Sequence, residues 1–287
     1  MTTIESFKKK YPKQITTVNG NCFPYRYYQN KKSSKTVVLL TGGIGLSDIM
    51  LFHFEEFAKF YSVLSFDYPI AYETNQDLVD AIAELLKKLG IKAFLIGQSL
   101  GGFIAQILAQ QHPDVVECLI LSNTGTLSVD LDEKGSQCLH DMMKRIDKSL
   151  LMMKLMPFGL VKKSIKKAVL KKVSQQLSES EKAIMSEICD EMVHTLTKEY
   201  EIHMTLLLKD LQSHWNMKKS DFAIYQDRVL LILSDDDFTF NDNVKQALID
   251  IMSRPKVITD IRGGHLALML KLDMYAQSIK SFIDGIC

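Results

Sequence analysis

Ser99 stands in the run Gly97-Gln98-Ser99-Leu100-Gly101, with glycines two residues before and two residues after it. An apolar stretch, residues 93–97, precedes this serine, and a segment with helical spacing, residues 100–111, follows it. In a strand–turn–helix of this kind the glycines let strand and helix pass closely, and the serine hydroxyl is exposed at the helix N-terminus. The helix dipole favours negative charge there. The pattern predicts a nucleophilic serine; the alternative is that Ser99 only caps the helix.

A serine hydroxyl becomes a good nucleophile when a histidine takes its proton. His265 follows a predicted strand, residues 257–261, and two glycines, at the carboxyl edge of a parallel sheet where ligands bind. His53 lies near the loop after the first buried strand and is a candidate for lining the same site. The other histidines lie at the far end of the serine helix or in a helical insertion, and we interpret them as structural or surface residues: His112, His140, His194, His203 and His214.

A carboxylate must hold that histidine in the correct tautomer. The strand predicted at residues 229–233 ends in Ser234-Asp235-Asp236-Asp237, which offers three carboxylates. A run of aspartates is also typical of a solvated turn. The end of the strand predicted at residues 118–122 carries Asn123 and Thr124 and offers no carboxylate.

These residues require a sheet that brings several strand ends together. Val18-Asn19-Gly20 predicts a hairpin turn within residues 14–29. Apolar, β-branched runs predict buried strands at residues 36–40, 61–67, 93–97, 118–122, 229–233 and 257–261. Helical spacing predicts helices at residues 75–89, 100–111 and 266–283. This alternation predicts an α/β fold, with a mostly parallel central sheet and helices on both faces.

The long segment 125–226 lacks strand signals and is typical of several amphipathic helices. We therefore predict a core of residues 1–124 and 227–287 and an inserted helical lid (cap) of residues 125–226. Within it, residues 151–177 are rich in Lys, Leu, Val and Met. Their apolar stripe consists of Val161, Ile165, Ala168, Val169 and Val173. One interpretation is that this segment contacts anionic lipid or an acidic substrate. The other is that it is a lid helix whose lysines are solvated. The acidic residues between 179 and 201 favour the second interpretation, because they could balance the lysines locally.

Four segments carry a resemblance to a known family: residues 97–102, Thr41-Gly42-Gly43, the aspartate run at residues 235–237 and the segment around His265. On these segments the chain resembles the α/β-hydrolase superfamily, from residue 35 to residue 286 apart from the lid. The resemblance implies the α/β-hydrolase fold, with nucleophile, acid and histidine in that chain order. It places the acid at Asp237, with Asp235 as the rival, and the base at His265. The implied oxyanion-hole donors are the N–H groups of Leu100 and Gly43. Many relatives have a histidine where this chain has Thr41, so the loop must be supported differently.

The resemblance implies a serine hydrolase that cleaves a small or medium, hydrophobic carboxylic ester, or a related acyl bond, through an acyl-enzyme. Ile44, Gln98, Met142 and Met156 are expected to contact this small-molecule acyl substrate; methionines give an adaptable apolar surface. An acyltransferase with the same residues is one alternative. A non-catalytic binding or adaptor protein is another, because residues 99–103 and 119–123 are also similar to maspardin.

Composition limits the partners. The 287 residues are 46% hydrophobic and 24% charged, and the formal net charge of +1 creates no global field toward nucleic acid or membrane. No apolar run approaches the ~20 residues that span a bilayer, so we expect no stable membrane insertion. Gly43-x-Gly45 is only a weak dinucleotide motif, because Asp48 stands where a third glycine belongs.

The cysteines are odd in number and widely spaced, and no CxxC pair occurs. We therefore expect reduced thiols, with Cys118 a small core residue, and neither a metal site nor a cofactor. The N-terminus carries no signal-peptide pattern, and together with the thiols this predicts a cytoplasmic protein.

Overall fold

The computed structural model describes residues 4–173 and 179–286, excluding the side chains of residues 168–173, 179–185 and 188. The strands are β1 (Gln14–Val18), β2 (Asn21–Tyr28), β3 (Thr36–Leu40), β4 (Ser62–Ser65), β5 (Ala93–Gln98), β6 (Val116–Ser122), β7 (Val229–Ile232) and β8 (Lys256–Ile258). The helices are α1 (Ile4–Lys10), α2 (Leu51–Ala58), α3 (Asn75–Leu89), α4 (Leu100–Gln111), α5 (Glu133–Leu155), α6 (Phe158–Val173), α7 (Glu179–Thr195), α8 (Lys198–Asp210), α9 (Lys219–Phe222), α10 (Asp242–Ile251), α11 (Ala267–Leu270) and α12 (Leu272–Gly285). Short 3₁₀ turns lie at Ser47–Met50, Pro113–Val115, Leu211–His214, Ala223–Tyr225 and Gly264–Leu266.

The strands form one sheet in the order β1-β2-β4-β3-β5-β6-β7-β8. β2 pairs antiparallel with β1 and β4, and the remaining neighbours pair in parallel. The sheet is therefore mostly parallel, as predicted. The prediction was wrong on the length of two strands, β4 and β8. β4 ends at Ser65 rather than at residue 67, because the chain then turns and Tyr68 donates its N–H to Gly45 O. β8 ends at Ile258 rather than at residue 261, where the chain bends toward His265.

Helices cover both faces of this sheet. Side chains alternate along a strand, so Leu95 of β5 enters one core, whereas Phe94 and Ile96 enter the other. α3 and α4 pack on the first face, and α2 and α12 pack on the second. The predicted two-sided arrangement is therefore confirmed, and β5 lies between β3 and β6 near the middle of the sheet.

The prediction of a single helix at residues 266–283 was wrong, because the structure has two helices there, α11 and α12. The segment divides at Lys271, whose φ of −125° and ψ of 47° are not helical. The carbonyls of a last helical turn need other partners, and His53 Nε2 donates a hydrogen bond to Leu268 O at 2.9 Å. His53 is 2% exposed and belongs to α2, so this bond ties α2 to the segment that follows His265.

Within residues 125–226, the described part of the chain contains α5, α6, α7, α8 and α9. α5 packs against α8, and α6 packs against α7. The chain leaves and rejoins the sheet side by side, because Ser128 and Met217 form an isolated β-bridge. Of the predicted apolar stripe, Ala168, Val169 and Val173 lie outside the described side chains. Over the described ranges, none of the helices has the length and apolar character needed to cross a membrane.

Gly101→Ala tests the close packing of α4 on the sheet. A Cβ at this position would lie 2.2 Å from Leu40 O, a backbone atom that cannot move cheaply. We expect the free energy of unfolding in urea to fall by about 2 kcal/mol or more. Gly159→Ala is the matched control, since a Cβ there meets nothing within 4 Å and alanine suits a helix better than glycine. Equal effects of the two substitutions would contradict the packing argument.

His53→Gln tests the buried imidazole. Burial lowers the pKa of His53 from 6.5 to about 4, although its hydrogen bond to Leu268 acts in the opposite direction. Between these values the unfolded state binds a proton that the folded state does not, so stability falls as pH falls, by about 3 kcal/mol. Glutamine keeps an N–H donor but does not titrate. Urea unfolding between pH 7 and pH 4 should therefore depend on pH less steeply in the variant, and identical slopes would disprove the assignment.

Candidate active site

Ser99 lies in the sharp turn between β5 and α4. Its φ of 54° and ψ of −117° are values that a residue with a Cβ adopts only under constraint. The constraint is the close approach of strand and helix: a Cβ on Gly97 would lie 2.4 Å from Gly101 O. The glycines on either side of the serine are therefore required by contact distances, as the sequence pattern indicated.

The Ser99 side chain makes no hydrogen bond to the helix backbone, so it does not act as the N-cap of α4. Its Oγ instead lies 2.9 Å from Nε2 of His265. On the other side of the imidazole, Nδ1 lies 2.9 Å from Oδ2 of Asp237. An ionised carboxylate only accepts hydrogen bonds, so Nδ1 carries the ring proton and Nε2 accepts from the serine hydroxyl. Serine, imidazole and carboxylate thus form one continuous hydrogen-bonded chain.

Asp237 is buried, with 2% of its surface exposed. Burial alone would raise the pKa of its carboxyl group, but the hydrogen bond and charge of His265 lower it, and the Thr239 N–H also donates to it at 2.9 Å. The balance leaves the pKa of Asp237 below its ordinary value. The carboxylate is therefore kept ionised beside the imidazole.

The three consecutive aspartates form hydrogen bonds with successive residues of the segment 262–265. Asp235 is exposed and forms a bidentate pair with Arg262, at 2.8–3.1 Å. Asp236 accepts the backbone N–H groups of Gly263, at 3.0 Å, and Gly264, at 2.9 Å. Asp237 alone of the three has a hydrogen bond to the imidazole in the described structure. The geometry brings Asp237, not its rival Asp235, together with the histidine.

Asn123 occupies the end of β6, where the sequence offered no carboxylate. It has a positive φ of 41° and is 2% exposed. Its Oδ1 accepts the N–H of Ser234 at 2.8 Å, and its Nδ2 donates to Gly264 O at 2.9 Å. This amide therefore joins the loop that carries Asp237 to the loop that carries His265, a role that the sequence analysis did not predict.

The loop after β3 contains Gly43, the second expected donor. Gly45 donates its N–H to Gly42 O at 2.9 Å, which folds the loop back on itself. The Tyr68 hydroxyl donates to Thr41 O at 2.8 Å, and the Tyr68 N–H donates to Gly45 O at 3.2 Å. These bonds supply the alternative loop support that the absence of a histidine before Gly42 requires.

Two acidic residues beside the Gly43 loop have structural partners. Asp67 accepts the N–H and the hydroxyl of Ser47, both at 2.7 Å, at the end of the same loop. Asp48 pairs with Arg26 at 2.9 Å. Both carboxylates therefore brace the region around residues 42–48.

Helix α8 of the insertion lies on this loop, which the sequence did not predict. The Tyr200 hydroxyl donates to Gly45 O at 2.8 Å. A Cβ on Gly45 would lie 2.3 Å from the Met204 sulfur, and a Cβ on Gly43 would lie 3.4 Å from Leu208 Cδ1. Apolar side chains of α8 therefore border the loop that carries Gly43.

The expected substrate contacts have different surroundings. Gln98 donates from Nε2 to His265 O at 3.0 Å, and its side-chain oxygen lies against Gly42, so it links the two loops on either side of Ser99. Ile44 is half-buried in the Gly43 loop. Met142 is partly buried against the core on the face of the sheet that α4 covers. Met156 is the C-cap residue that follows α5. Substrate contact by these residues stays a prediction.

Three of the other histidines have partners away from Ser99. His53 is buried against Leu268, as described above. His112 contacts Asp80 at 2.6 Å, and the ring of His140 stacks against that of Trp215. The described structure therefore gives His265 the position beside Ser99.

Comparison with known sequences gives a family match. A family model for the alpha/beta hydrolase fold matches residues 35–153, which include β3 to β6 and Ser99. A Yersinia enterocolitica protein named "Putative carbamate hydrolase RutD" is 30% identical over 123 residues. That match covers 39% of this chain and 43% of the relative, so the chain spans about two fifths of the relative's length.

Comparison with solved structures covers nearly the whole chain. A hydrolase from Pseudomonas aeruginosa superposes with a TM-score of 0.71 at 16% identity, over 95% of this chain and 98% of that chain. The enol-lactonase from Burkholderia xenovorans gives a TM-score of 0.71 at 18% identity, over 94% of this chain and all of that one, 100%. The chain has the α/β-hydrolase fold, and its residues 35–153 match the family model for that fold.

Asp236→Ala tests the anchoring of the turn before His265. The substitution removes the charged acceptor of the Gly263 and Gly264 N–H groups, and such bonds contribute about 1.5–3 kcal/mol. We expect hydrogen exchange of these two amides to accelerate roughly tenfold or more. Asp235→Ala removes only the exposed pair with Arg262 and should leave their exchange unchanged. Protection that survives Asp236→Ala would show that other contacts hold the turn.

Proposed function

We propose that this protein is a serine hydrolase that cleaves a small or medium, apolar carboxylic ester, or a related acyl bond, through an acyl-enzyme on Ser99. The observation that carries this proposal is the hydrogen-bonded chain from Ser99 through His265 to Asp237, with both distances at 2.9 Å. The three residues occur in the chain order nucleophile, acid, histidine that serine enzymes of this fold use.

In the first half of the proposed reaction, Ser99 Oγ attacks the carbonyl carbon of the substrate. His265 Nε2 takes the hydroxyl proton as the new C–O bond forms, and Asp237 stabilises the resulting imidazolium through Nδ1–H. The imidazolium then gives this proton to the leaving alkoxide. The carbon–oxygen bond to the alcohol breaks, and the acyl group stays on Ser99 as an ester.

In the second half, water replaces the alcohol. His265 accepts a proton from the water, whose oxygen attacks the acyl carbon, and then returns that proton to Ser99 Oγ as the acyl bond breaks. The products are a carboxylic acid and the regenerated serine. Water is the only co-reactant, and the sequence of bonds involves no change of oxidation state.

The proposed oxyanion hole consists of the N–H groups of Leu100 and Gly43. Leu100 is the first residue of α4, and the first N–H groups of a helix have no partner within it. Gly43 lies in the loop braced by Tyr68, Asp67 and Tyr200. Preorganised donors of this kind are worth about 3–4 kcal/mol each in transition-state stabilisation.

The proposed substrate class follows from the apolar side chains near these groups. Leu208 and Met204 border the Gly43 loop, and the ring of Phe240 lies 6.0 Å from that of His265. We propose that residues 125–226 form the lid that admits the acyl group, with Ile44, Gln98, Met142 and Met156 as candidate contacts. The names of two relatives, a carbamate hydrolase and an enol-lactonase, support hydrolysis at a carbonyl carbon.

Labelling with a fluorophosphonate probe tests the nucleophile. Wild-type protein should be labelled, and Ser99→Ala should not. In assays with p-nitrophenyl esters of increasing chain length, Ser99→Ala and His265→Ala should lose about 10⁴-fold or more in kcat. Asp237→Asn should lose about 10⁴-fold, because the imidazole would take the wrong tautomer.

Asp235→Asn is the matched control for the acid, since its carboxylate pairs with exposed Arg262 and should leave kcat within about twofold of wild type. A larger effect at Asp235 than at Asp237 would reverse the assignment of the acid. Absence of both labelling and ester cleavage in folded wild-type protein would refute the hydrolase and favour a binding or adaptor protein. Transfer of the acyl group to an added alcohol faster than to water would favour an acyltransferase.

A further inference from the structure

The exposed face of helix α5 changes from polar and charged residues to apolar residues toward the end of the helix. Its buried face consists of Leu139, Met143, Ile146, Leu150 and Met153. The opposite face carries polar and charged residues up to Lys148 and then Leu151, Met152 and Leu155. These three are 59%, 56% and 76% exposed. Their spacing of one and four residues places them in one arc of the helix, directed away from the core.

A fourth exposed apolar residue follows in the next helix. Leu160, in the first turn of α6, is 52% exposed. It is five residues from Leu155 in the sequence, so the two Cα atoms lie within about 17 Å even if the chain between them is extended. We call Leu151, Met152, Leu155 and Leu160 the apolar tip. Exposed apolar residues concentrated in this way are typical of an interaction surface rather than of ordinary solvent exposure.

The sequence that contains the apolar tip carries charges of one sign. Between Asp147 and Glu179 the sequence contains no acidic residue, and its charged residues are Lys148, Lys154, Lys162, Lys163, Lys166, Lys167, Lys171 and Lys172. Lys148, Lys154, Lys163 and Lys167 are exposed, and none of them forms an ion pair with another described residue. The exposed face of α6 continues from Leu160 through Lys163 to Lys167, at helical spacing.

Two described carboxylates beside these lysines already have partners. Asp147 already pairs with Lys209 of α8, and Asp190 of α7 pairs with Lys166. A partner that fits the apolar tip must therefore offer both an apolar region for its leucine and methionine side chains and negative charge for its lysines. A second copy of the same surface would bring like charges together, which opposes self-association.

We propose that the apolar tip docks this protein on the surface of a bilayer that contains anionic phospholipid. Leucine and methionine side chains enter the boundary between head groups and acyl chains, while the lysines extend to the phosphates. The contact is peripheral and requires no helix that crosses the bilayer. It stands independently of the proposed hydrolase activity, since none of its residues belongs to the Ser99 site.

Vesicle flotation tests the proposal. The full-length protein is mixed with vesicles of phosphatidylcholine alone or of phosphatidylcholine with phosphatidylglycerol. We expect binding only to the anionic vesicles, weakened by added salt. Lys163→Glu/Lys167→Glu should reduce the partition constant more than about tenfold, because each lysine near an anionic surface adds to the electrostatic attraction that holds the protein there. Leu151→Ser/Leu155→Ser should reduce it comparably.

Ile15→Ser is the matched control, because Ile15 is 71% exposed on β1, outside the inserted helices, and its replacement should leave binding unchanged. Ser99→Ala should also bind like wild type, which separates this proposal from the hydrolase. Absence of binding to anionic vesicles, or binding that both tip variants retain, would overturn the proposal. A wild-type dimer in sedimentation velocity that Leu151→Ser/Leu155→Ser dissociates would likewise overturn it, in favour of a second copy.

Discussion

The close contact between β5 and α4 is the constraint on which the site depends. Gly97 and Gly101 approach so closely that a single added carbon would collide with backbone. Because no side chain separates strand from helix, Ser99 must turn sharply, with φ at 54°. Such a conformation costs about 1–3 kcal/mol and persists only where the surrounding sheet supports it. The buried β3 and β6 on either side of β5 provide that support.

A second constraint joins the ends of β7 and β8. Asp235, Asp236 and Asp237 form side-chain hydrogen bonds with successive parts of residues 262–265, and Asn123 joins the same loops from the end of β6. A shift of one residue in either loop would break several of these bonds together. The imidazole of His265 is therefore held by a network as well as by Asp237, which fits the need of catalytic groups for fixed positions.

The sequence was sufficient for features that depend on local pattern. The runs of buried strands and the turn at Ser99 follow from neighbouring residues, whereas the choice of Asp237 among three aspartates came from the resemblance to the α/β-hydrolase superfamily. Asp236 and Asn123 could not be predicted, because their partners are distant in the sequence and meet only when the strand ends are in register. The same holds for Tyr200 and Leu208, which reach the Gly43 loop only once α8 packs over it. The break at Lys271 was missed because apolar spacing continues across it.

In the proposed reaction, Ser99, His265 and Asp237, with the N–H groups of Leu100 and Gly43, stabilise an oxyanion formed at Ser99. A crystal structure of the protein after reaction with a small alkyl phosphonate tests it most directly. We expect phosphorus bonded to Ser99 Oγ and one phosphonyl oxygen about 3 Å from both N–H groups. A phosphonate on another residue, or one whose oxygen points away from Leu100 and Gly43, would contradict it.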